Sequence, residues 1–309
     1  MVGGSFSDLA SSSTAVRAGA GGLVLFGQPP AGSGPAIRAG IARLVAAAEV
    51  RPLVSTDEEG GGVARLSEVI GAVPWPREMA ASMSPAQVRR LIARRAQEMR
   101  RLGLDMDLAP VLDAAPATET VGAENLRSFS EDPAAAASYG VAFLEGLREG
   151  GVLAVGKHFP GLGHVSADTD LGPARVPPLS QLEDRDLVPF EAAISGHVPV
   201  IMMSNATVPG LGSSPASLEP AAYAYLRHLG FRGVILTDSL DTGAIQAAGY
   251  TAPEAAAKAI ESGADMAMVT SPGDFEPTVA ALEQAVAAGA LPLGQVQASV
   301  RRILALKGG

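Results

Sequence analysis

The sequence of 309 residues contains no cysteine. Disulfides, thiolate metal sites, a cysteine nucleophile and a lipid-modified cysteine are therefore excluded within it. Histidine is also scarce, and no two histidines lie four residues apart, as a helical metal-binding pair would. We therefore expect no metal and no zinc site. The four histidines are His158, His164, His197 and His228.

Positive charge and long apolar runs are limited as well. The chain has 23 Lys+Arg against 32 Asp+Glu, a formal net charge of -9, which makes nucleic acid and anionic membranes poor candidates for partners. No uncharged apolar run is long enough to predict a transmembrane helix. The first residues lack the basic and apolar regions of a signal peptide, so we expect a cytoplasmic protein. The chain starts inside a predicted strand, which leaves a natural upstream segment open.

Three common site motifs are missing. No Gly-x-Gly-x-x-Gly turn follows the first predicted strands, so a dinucleotide fold is disfavoured. No phosphate-binding Gly-x-x-x-x-Gly-Lys-Ser/Thr loop is present either. The Gly-x-Ser-x-Gly segment expected around a serine nucleophile is absent. We expect no cofactor.

Short apolar segments alternate with Ala-rich amphipathic stretches along the chain. The short segments are rich in β-branched and aliphatic residues, which is typical of parallel strands buried on both faces. The predicted strands are 1–4, 22–26, 52–56, 107–111, 152–156, 198–202, 233–237 and 266–270. The predicted helices include 84–102, 133–149, 253–263, 275–289 and 292–307. This alternation predicts one α/β domain over residues 1–309, a (β/α)8 TIM-type barrel, with a doubly wound open sheet as the competing fold.

Polar residues follow five of the predicted strands. In a barrel the carboxyl ends of all strands meet on one face, where active sites lie. Each residue alone is more often a helix cap or a structural hydrogen bonder than a catalyst. Their joint occurrence favours a shared cleft. The segments concerned are Asp57-Glu-Glu, Asp113, Lys157-His158, Ser204-Asn205 and Asp238-Ser-Leu-Asp241.

Five segments, in order, resemble the β-N-acetylglucosaminidase branch of glycoside hydrolase family 3. Lys157-His-Phe-Pro-Gly161 is identical to the family's hallmark, and the others differ from its motifs at single positions or a few. These others are Asp57-Glu-Glu-Gly-Gly-Gly-Val-Ala-Arg-Leu66, Asp107-Leu-Ala-Pro-Val-Leu-Asp113, Arg127-Ser-Phe-Ser-Glu-Asp-Pro133 and Thr237-Asp-Ser-Leu-Asp241. The resemblance covers essentially the whole chain.

The resemblance implies a barrel that removes terminal β-linked N-acetylglucosamine with retention and without a cofactor. Asp238 is then the nucleophile that forms a glycosyl-enzyme. Asp113 supports the floor of the site. The residues expected to bind the substrate, a small carbohydrate or glycoside, are Asp57, Arg65, Arg127, Lys157, His158 and Asn205.

The sequence departs from the family pattern at four positions. Asp170 stands where the branch has its acid/base histidine, which Asp168 would orient. Leu162 and Asn205 also replace histidines, and Gly62 replaces an arginine. These changes leave the preferred sugar open, and glucose is an alternative to N-acetylglucosamine.

The first departure concerns the proton donor. Two close carboxyl groups do not ionise independently, so Asp168 could raise the pKa of Asp170 and allow it to act as acid/base with an acidic optimum. His164, on the same loop, is the rival donor.

A catalytically silent carbohydrate-binding protein is the alternative from another class. A phosphorylase is disfavoured, because a negative loop repels phosphate. The sequence makes no prediction of oligomeric state.

Overall fold

The computed structural model describes residues 1–118 and 124–308. Its central sheet has eight parallel strands in the order β1-β2-β3-β6-β7-β8-β9-β10, and β4 and β5 form a separate antiparallel hairpin. The strands are β1 (Val2–Ser5), β2 (Gly22–Phe26), β3 (Leu53–Thr56), β4 (Glu58–Gly60), β5 (Val63–Ala64), β6 (Met106–Asp107), β7 (Leu153–Phe159), β8 (Val200–Met203), β9 (Val234–Ser239) and β10 (Met266–Met268).

The sheet closes on itself between its first and last strands. Val2 forms a parallel bridge with Val269, and the Gly3 amide donates to the Val269 carbonyl at 2.9 Å. A side chain at Gly3 would not fit, because its Cβ would lie 1.9 Å from the Thr270 carbonyl oxygen. The predicted barrel is therefore confirmed, and the open doubly wound sheet is wrong.

Helices connect and surround the strands. Local sequence explains several of their ends: Asp132 caps α7 through the Ala134 amide at 3.2 Å, and Glu254 accepts from the Thr251 amide at 2.9 Å at the start of α12. The five predicted helices end within two residues of the observed ones. The helices are α1 (Ser13–Arg17), α2 (Gly34–Ala46), α3 (Ser67–Ile70), α4 (Pro76–Ser82), α5 (Pro85–Leu102), α6 (Glu124–Arg127), α7 (Pro133–Glu149), α8 (Leu179–Leu182), α9 (Val188–Ser195), α10 (Pro220–His228), α11 (Gly243–Ala247), α12 (Ala252–Ser262), α13 (Phe275–Ala287) and α14 (Leu293–Leu306).

Two apolar layers hold the barrel together. The inner layer fills the barrel with alternate strand residues such as Val24, Val155, Val200 and Leu236. The outer layer packs the opposite strand faces against the helices. The barrel interior is thus a packed core, and a ligand can bind only at its mouth. In the described ranges, no helix has the length and hydropathy needed to cross a membrane.

Two strands differ from their predicted bounds by three residues or more at one end. Strand β6 ends at Asp107, short of the predicted end at 111, because Pro110 has no N–H to donate to a ladder. The segment after it still lies against its neighbours: the Leu108 amide donates to the Thr56 carbonyl at 2.9 Å, and Val111 bridges Lys157. By contrast, β7 continues past its predicted end at Gly156 to Phe159. This extension places Lys157 and His158 within a strand rather than in a loop.

Candidate active site

A cavity of about 280 Å³ opens at the carboxyl ends of the strands. The structure brings eight of the residues proposed from the sequence to its walls. They are Asp57, Arg65, Arg127, Lys157, His158, Asp168, Asp170 and Asp238. The remaining two, His164 and Asn205, do not line the cavity.

A buried ion network forms one wall. The Lys157 ammonium lies 3.0 Å from Asp57 Oδ1 and 2.5 Å from Glu59 Oε1. The Arg127 guanidinium binds Glu59 with two nitrogens, at 2.8 and 2.9 Å. Arg65 Nε lies 3.8 Å from Asp57 Oδ2, on the outer side of the network. Charge-assisted contacts of this kind hold long side chains in one geometry.

Opposite charges decide the ionisation of this network. Burial alone would raise the pKa of Glu59, but Arg127 and Lys157 outweigh it and hold the pKa well below its ordinary value. Burial alone would lower the pKa of Lys157, but Glu59 and Asp57 raise it above its ordinary value. Glu59 and Lys157 are therefore both charged throughout the physiological range.

Glu59 was not among the residues proposed from the sequence. It lines the cavity, and its side chain is completely buried between two cations. The signal was present, because side chains alternate along extended chain and residues 57 and 59 therefore face the same side. Asp57 and Glu59 meet at Lys157, and the Glu58 side chain is buried elsewhere.

A second buried pair fixes His158. Its Nδ1 lies 2.8 Å from Asp113 Oδ2, and Asp113 Oδ1 accepts from the amides of His158 and Leu162 at 3.1 and 2.8 Å. Burial lowers the pKa of His158, but Asp113 outweighs it, so that the pKa is raised overall. Asp113 thus supports the site from below, and Nε2 is the ring nitrogen left for a ligand.

Asp238 is placed by the end of β9. Its Oδ1 accepts from the Ser239 amide at 2.7 Å, and the side chain is half-buried on the cavity wall. Asn205 lies behind this segment. Its amide nitrogen donates to the Ser239 carbonyl at 2.6 Å and to Thr242 Oγ1 at 3.2 Å, while its oxygen accepts from Ser217 at 2.6 Å. The structure therefore uses Asn205 to hold the end of β9 and keeps it out of the cavity.

Asp170 lies on the exposed rim, on a loop that is tied to α11. The Asp170 amide donates to Asp168 Oδ1 at 2.9 Å, and its carbonyl accepts from the Gly243 amide at 2.9 Å. Partial burial, followed by the charges of Asp238 and Asp168, raises the pKa of Asp170 above its ordinary value. Asp170 is therefore near enough to Asp238 and Asp168 for their charges to act on it.

His164 points elsewhere. Its Nδ1 lies 3.5 Å from Asp186 Oδ1, and Arg185 Nε contacts the other oxygen of Asp186 at 2.9 Å. The Asp186 side chain is fully buried, so this contact fastens the loop to the body of the barrel. The structure does not bring His164 to the cavity as a rival to Asp170.

Of the departures at Leu162 and Gly62, the first changes the cavity wall. Leu162 places a buried apolar side chain on the wall where the family has histidine. Gly62 has little room for a side chain, because its Cβ would lie 2.9 Å from the Trp75 ring. Within residues 1–118 and 124–308, no group of three or more acidic or histidine side chains could hold a metal ion.

Known proteins resemble the chain over most of its length. Residues 20–306 match the family model described as the N-terminal domain of glycosyl hydrolase family 3. The β-hexosaminidase LpqI of Mycobacterium tuberculosis is 39% identical over 279 residues, which is 87% of this chain and 71% of the relative. A β-hexosaminidase of Stenotrophomonas maltophilia is 35% identical over 238 residues, 74% of this chain and 70% of the relative.

Solved structures agree with these matches. A family 3 glycosyl hydrolase from Mycobacterium smegmatis superposes with a TM-score of 0.90 at 36% identity, covering 99% of this chain and 94% of its own. The β-N-acetylhexosaminidase of Beutenbergia cavernae gives a TM-score of 0.91 at 29% identity, covering 100% of this chain and 96% of its own. The family and the enzyme class implied by the five motifs are confirmed: this chain belongs to glycosyl hydrolase family 3.

Proposed function

We propose that this glycoside hydrolase is a retaining exo-β-N-acetylglucosaminidase. The observation that carries the proposal is the presence of Asp238 and Asp170 in one small cavity, beside a charged wall that can grip a sugar. A retaining enzyme needs one carboxylate to attack the anomeric carbon and a second group to move the proton.

The charged wall supplies the binding groups. Arg127, Lys157 and Asp57 offer donors and acceptors on one side of the cavity, and His158 offers a ring nitrogen. Hydrogen bonds to charged groups are stronger than neutral ones and fix the orientation of hydroxyl groups. The cavity is small and its floor is packed core, which favours one terminal sugar and hence exo action.

The proposed reaction has two steps. Asp238 attacks the anomeric carbon while Asp170, protonated, gives its proton to the departing glycosidic oxygen. A water molecule then gives its proton to Asp170, attacks the glycosyl ester and frees Asp238. Asp168 Oδ1 accepts a hydrogen bond from the Asp170 amide. Partial burial, followed by the charges of Asp238 and Asp168, raises the pKa of Asp170, which favours the protonated form needed in the first step.

The names of the relatives favour a 2-acetamido sugar as substrate. The apolar Leu162 wall is the observation that keeps glucose, or another β-sugar, as the second candidate. We further propose that residues 1–309 form a single domain, that the substrate is a small carbohydrate or glycoside, and that the protein acts in the cytoplasm.

The test is hydrolysis of 4-nitrophenyl β-N-acetylglucosaminide and the matching β-glucoside between pH 4 and 8. Asp238→Asn should lower kcat/KM by about 10³-fold or more, because the variant lacks the carboxylate proposed to form the ester. Asp241→Asn is the matched control, since Asp241 binds the Thr270 hydroxyl outside the cavity. Equal turnover in wild type and Asp238→Asn would contradict the proposal that Asp238 is the nucleophile. Sugar binding without turnover by the wild type would favour the carbohydrate-binding alternative.

A further inference from the structure

Asp107 is a buried acid that no cationic side chain of the described residues contacts within hydrogen-bond distance. It ends β6 beneath the cavity and is 1% exposed. Its Oδ1 accepts from the Glu58 amide at 2.9 Å, whereas its Oδ2 is buried and makes no hydrogen bond to a described residue. A carboxylate in such a place loses its hydration and gains only one amide in exchange, whereas a neutral carboxyl group costs far less.

The charged groups around Asp107 also favour its neutral form. The Glu58 carboxyl and the Asp57 carboxylate oppose a negative charge on it, and Lys157 favours one. Lys157, however, is already held by Asp57 and Glu59. Burial, with Glu58 second, raises the pKa of Asp107 well above its ordinary value. Its neighbour Asp105 is the opposite case, because Arg51 and Arg100 contact it at 2.6 and 2.5 Å.

The amide that Asp107 holds lies between two residues of the charged wall. Asp57 precedes Glu58 and Glu59 follows it, and both contact the Lys157 ammonium. The bond to the Glu58 amide therefore fixes the part of the chain that sets the spacing of these two carboxylates. Asp107 itself does not line the cavity, so it can act on a sugar only through them.

We propose that Asp107 is a positioning residue that works as a neutral acid and holds the Asp57–Glu59 segment for sugar binding. The positioning part rests on the proposed function. A neutral aspartic acid differs from asparagine mainly in one NH₂ group, so Asp107→Asn should keep the acceptor for the Glu58 amide. Asp107→Ala removes it.

The first arm measures thermal unfolding of the full chain between pH 5 and 8. A carboxyl group that is neutral when folded and ionised when unfolded destabilises the wild type progressively as pH rises from about 3.9 toward the raised pKa. The melting temperature of Asp107→Asn, relative to wild type, should therefore increase with pH. Asp105→Asn is the matched control and should melt below wild type, because it takes the charge away from two arginines. A gap between Asp107→Asn and wild type that stays constant or shrinks with pH would overturn the neutral state.

The second arm separates binding from chemistry on 4-nitrophenyl β-N-acetylglucosaminide. Asp107→Ala should raise KM by about tenfold, the equivalent of one hydrogen bond, with a smaller change in kcat. Asp107→Asn should restore KM to within about threefold of wild type. Unchanged KM in Asp107→Ala, or an equal loss in both variants, would overturn the positioning role. If the wild type neither binds nor cleaves the sugar, the proposed function fails and the positioning role with it, while the unfolding arm still decides the charge state.

Discussion

Asp170 shows how one residue can change the chemistry of a shared cavity. Histidine is the family's proton donor at this position, with an unperturbed pKa of about 6.5, whereas a free aspartic acid has about 3.9. The surroundings of Asp170 reduce this difference in pKa, because partial burial and the charges of Asp238 and Asp168 raise the pKa of Asp170. An acid in this position remains protonated at higher pH than a free one, and the enzyme should work best in mildly acidic solution.

Changing Asp170 should therefore alter the pH profile. In the proposed mechanism Asp170 is the proton donor and must be protonated in the first step, so kcat/KM should fall as pH rises above its pKa. Asp170→His should move this fall to higher pH, in the direction of the imidazole pKa. Asp170→Asn should lower kcat/KM by about 10²-fold or more for the N-acetylglucosamine disaccharide, and much less for the nitrophenyl glycoside, whose leaving group needs little protonation.

His164→Ala is the matched control for that series. His164 lies beside Asp186 and away from the cavity, so its removal should leave the alkaline limb of the profile in place. If the fall of kcat/KM at high pH disappears in His164→Ala and persists in Asp170→Asn, His164 is the proton donor and Asp170 is not. Rate profiles of kcat/KM from pH 4 to 8 provide the measurement.

Among the elements, the β4–β5 hairpin has an unusual constraint. Trp75, just before α4, packs over the glycines at the turn of this hairpin. Val63 on β5 and Arg65 just after it line the cavity. The Gly61 backbone has a φ of 58°, and a Cβ there would lie 1.9 Å from the indole ring. Backbone conformation and packing thus both require glycine at this turn. Because Trp75 packs against the hairpin, its position also affects where the cavity residues that follow the turn lie.

Gly61→Ala should destabilise the protein for both reasons. The left-handed backbone costs about 1–2 kcal/mol for a residue with a Cβ, and displacement of the indole should bring the total above about 2 kcal/mol. Gly19→Ala is the matched control: φ is 96° there, but no atom lies within 4 Å of the added Cβ. Denaturant unfolding gives the free energy of unfolding of both variants. Equal decreases in the two would show that the Trp75 ring moves aside at no cost.

At the scale of the whole molecule, buried acids set the dependence of stability on pH. Burial raises the pKa of Glu58 to about 8, whereas cations hold the pKa of Glu59 low. Glu59 stabilises the folded state above its unfolded pKa, and this stabilisation is lost in acid. Glu58 has the opposite effect and destabilises the folded state as pH rises. Its carboxyl group stays neutral in the folded protein but ionises readily in the unfolded chain.

Glu58→Gln should therefore flatten the alkaline side of the stability curve. In the wild type, the Glu58 contribution falls as pH rises from about 4.3, the unfolded pKa, to about 8 in the folded protein. Glutamine keeps a carbonyl oxygen for the Leu66 amide and does not titrate in this range. Melting temperatures from pH 5 to 8 should decline less in Glu58→Gln than in wild type, and parallel curves would contradict the raised pKa.

The sequence by itself determined the barrel, the ends of five of the helices and the family. These follow from local information: strand and helix periodicity, caps such as Asp132 and motifs such as Lys157-His-Phe-Pro-Gly161. Because the carboxyl ends of parallel strands in a barrel must meet on one face, the sequence also indicated that Asp57, Lys157 and Asp238 share one cavity.

Only the tertiary structure decided what each polar group contacts. It turned His164 toward Asp186, used the Asn205 amide to hold the end of β9, and placed Glu59 between two cations. It also left Asp107 buried with no cation in contact among the residues that the structure describes, although Asp105, two residues earlier, contacts two. The physical reason is that burial and charge pairing depend on residues far apart in the chain, such as Glu59 and Lys157, which no local pattern connects.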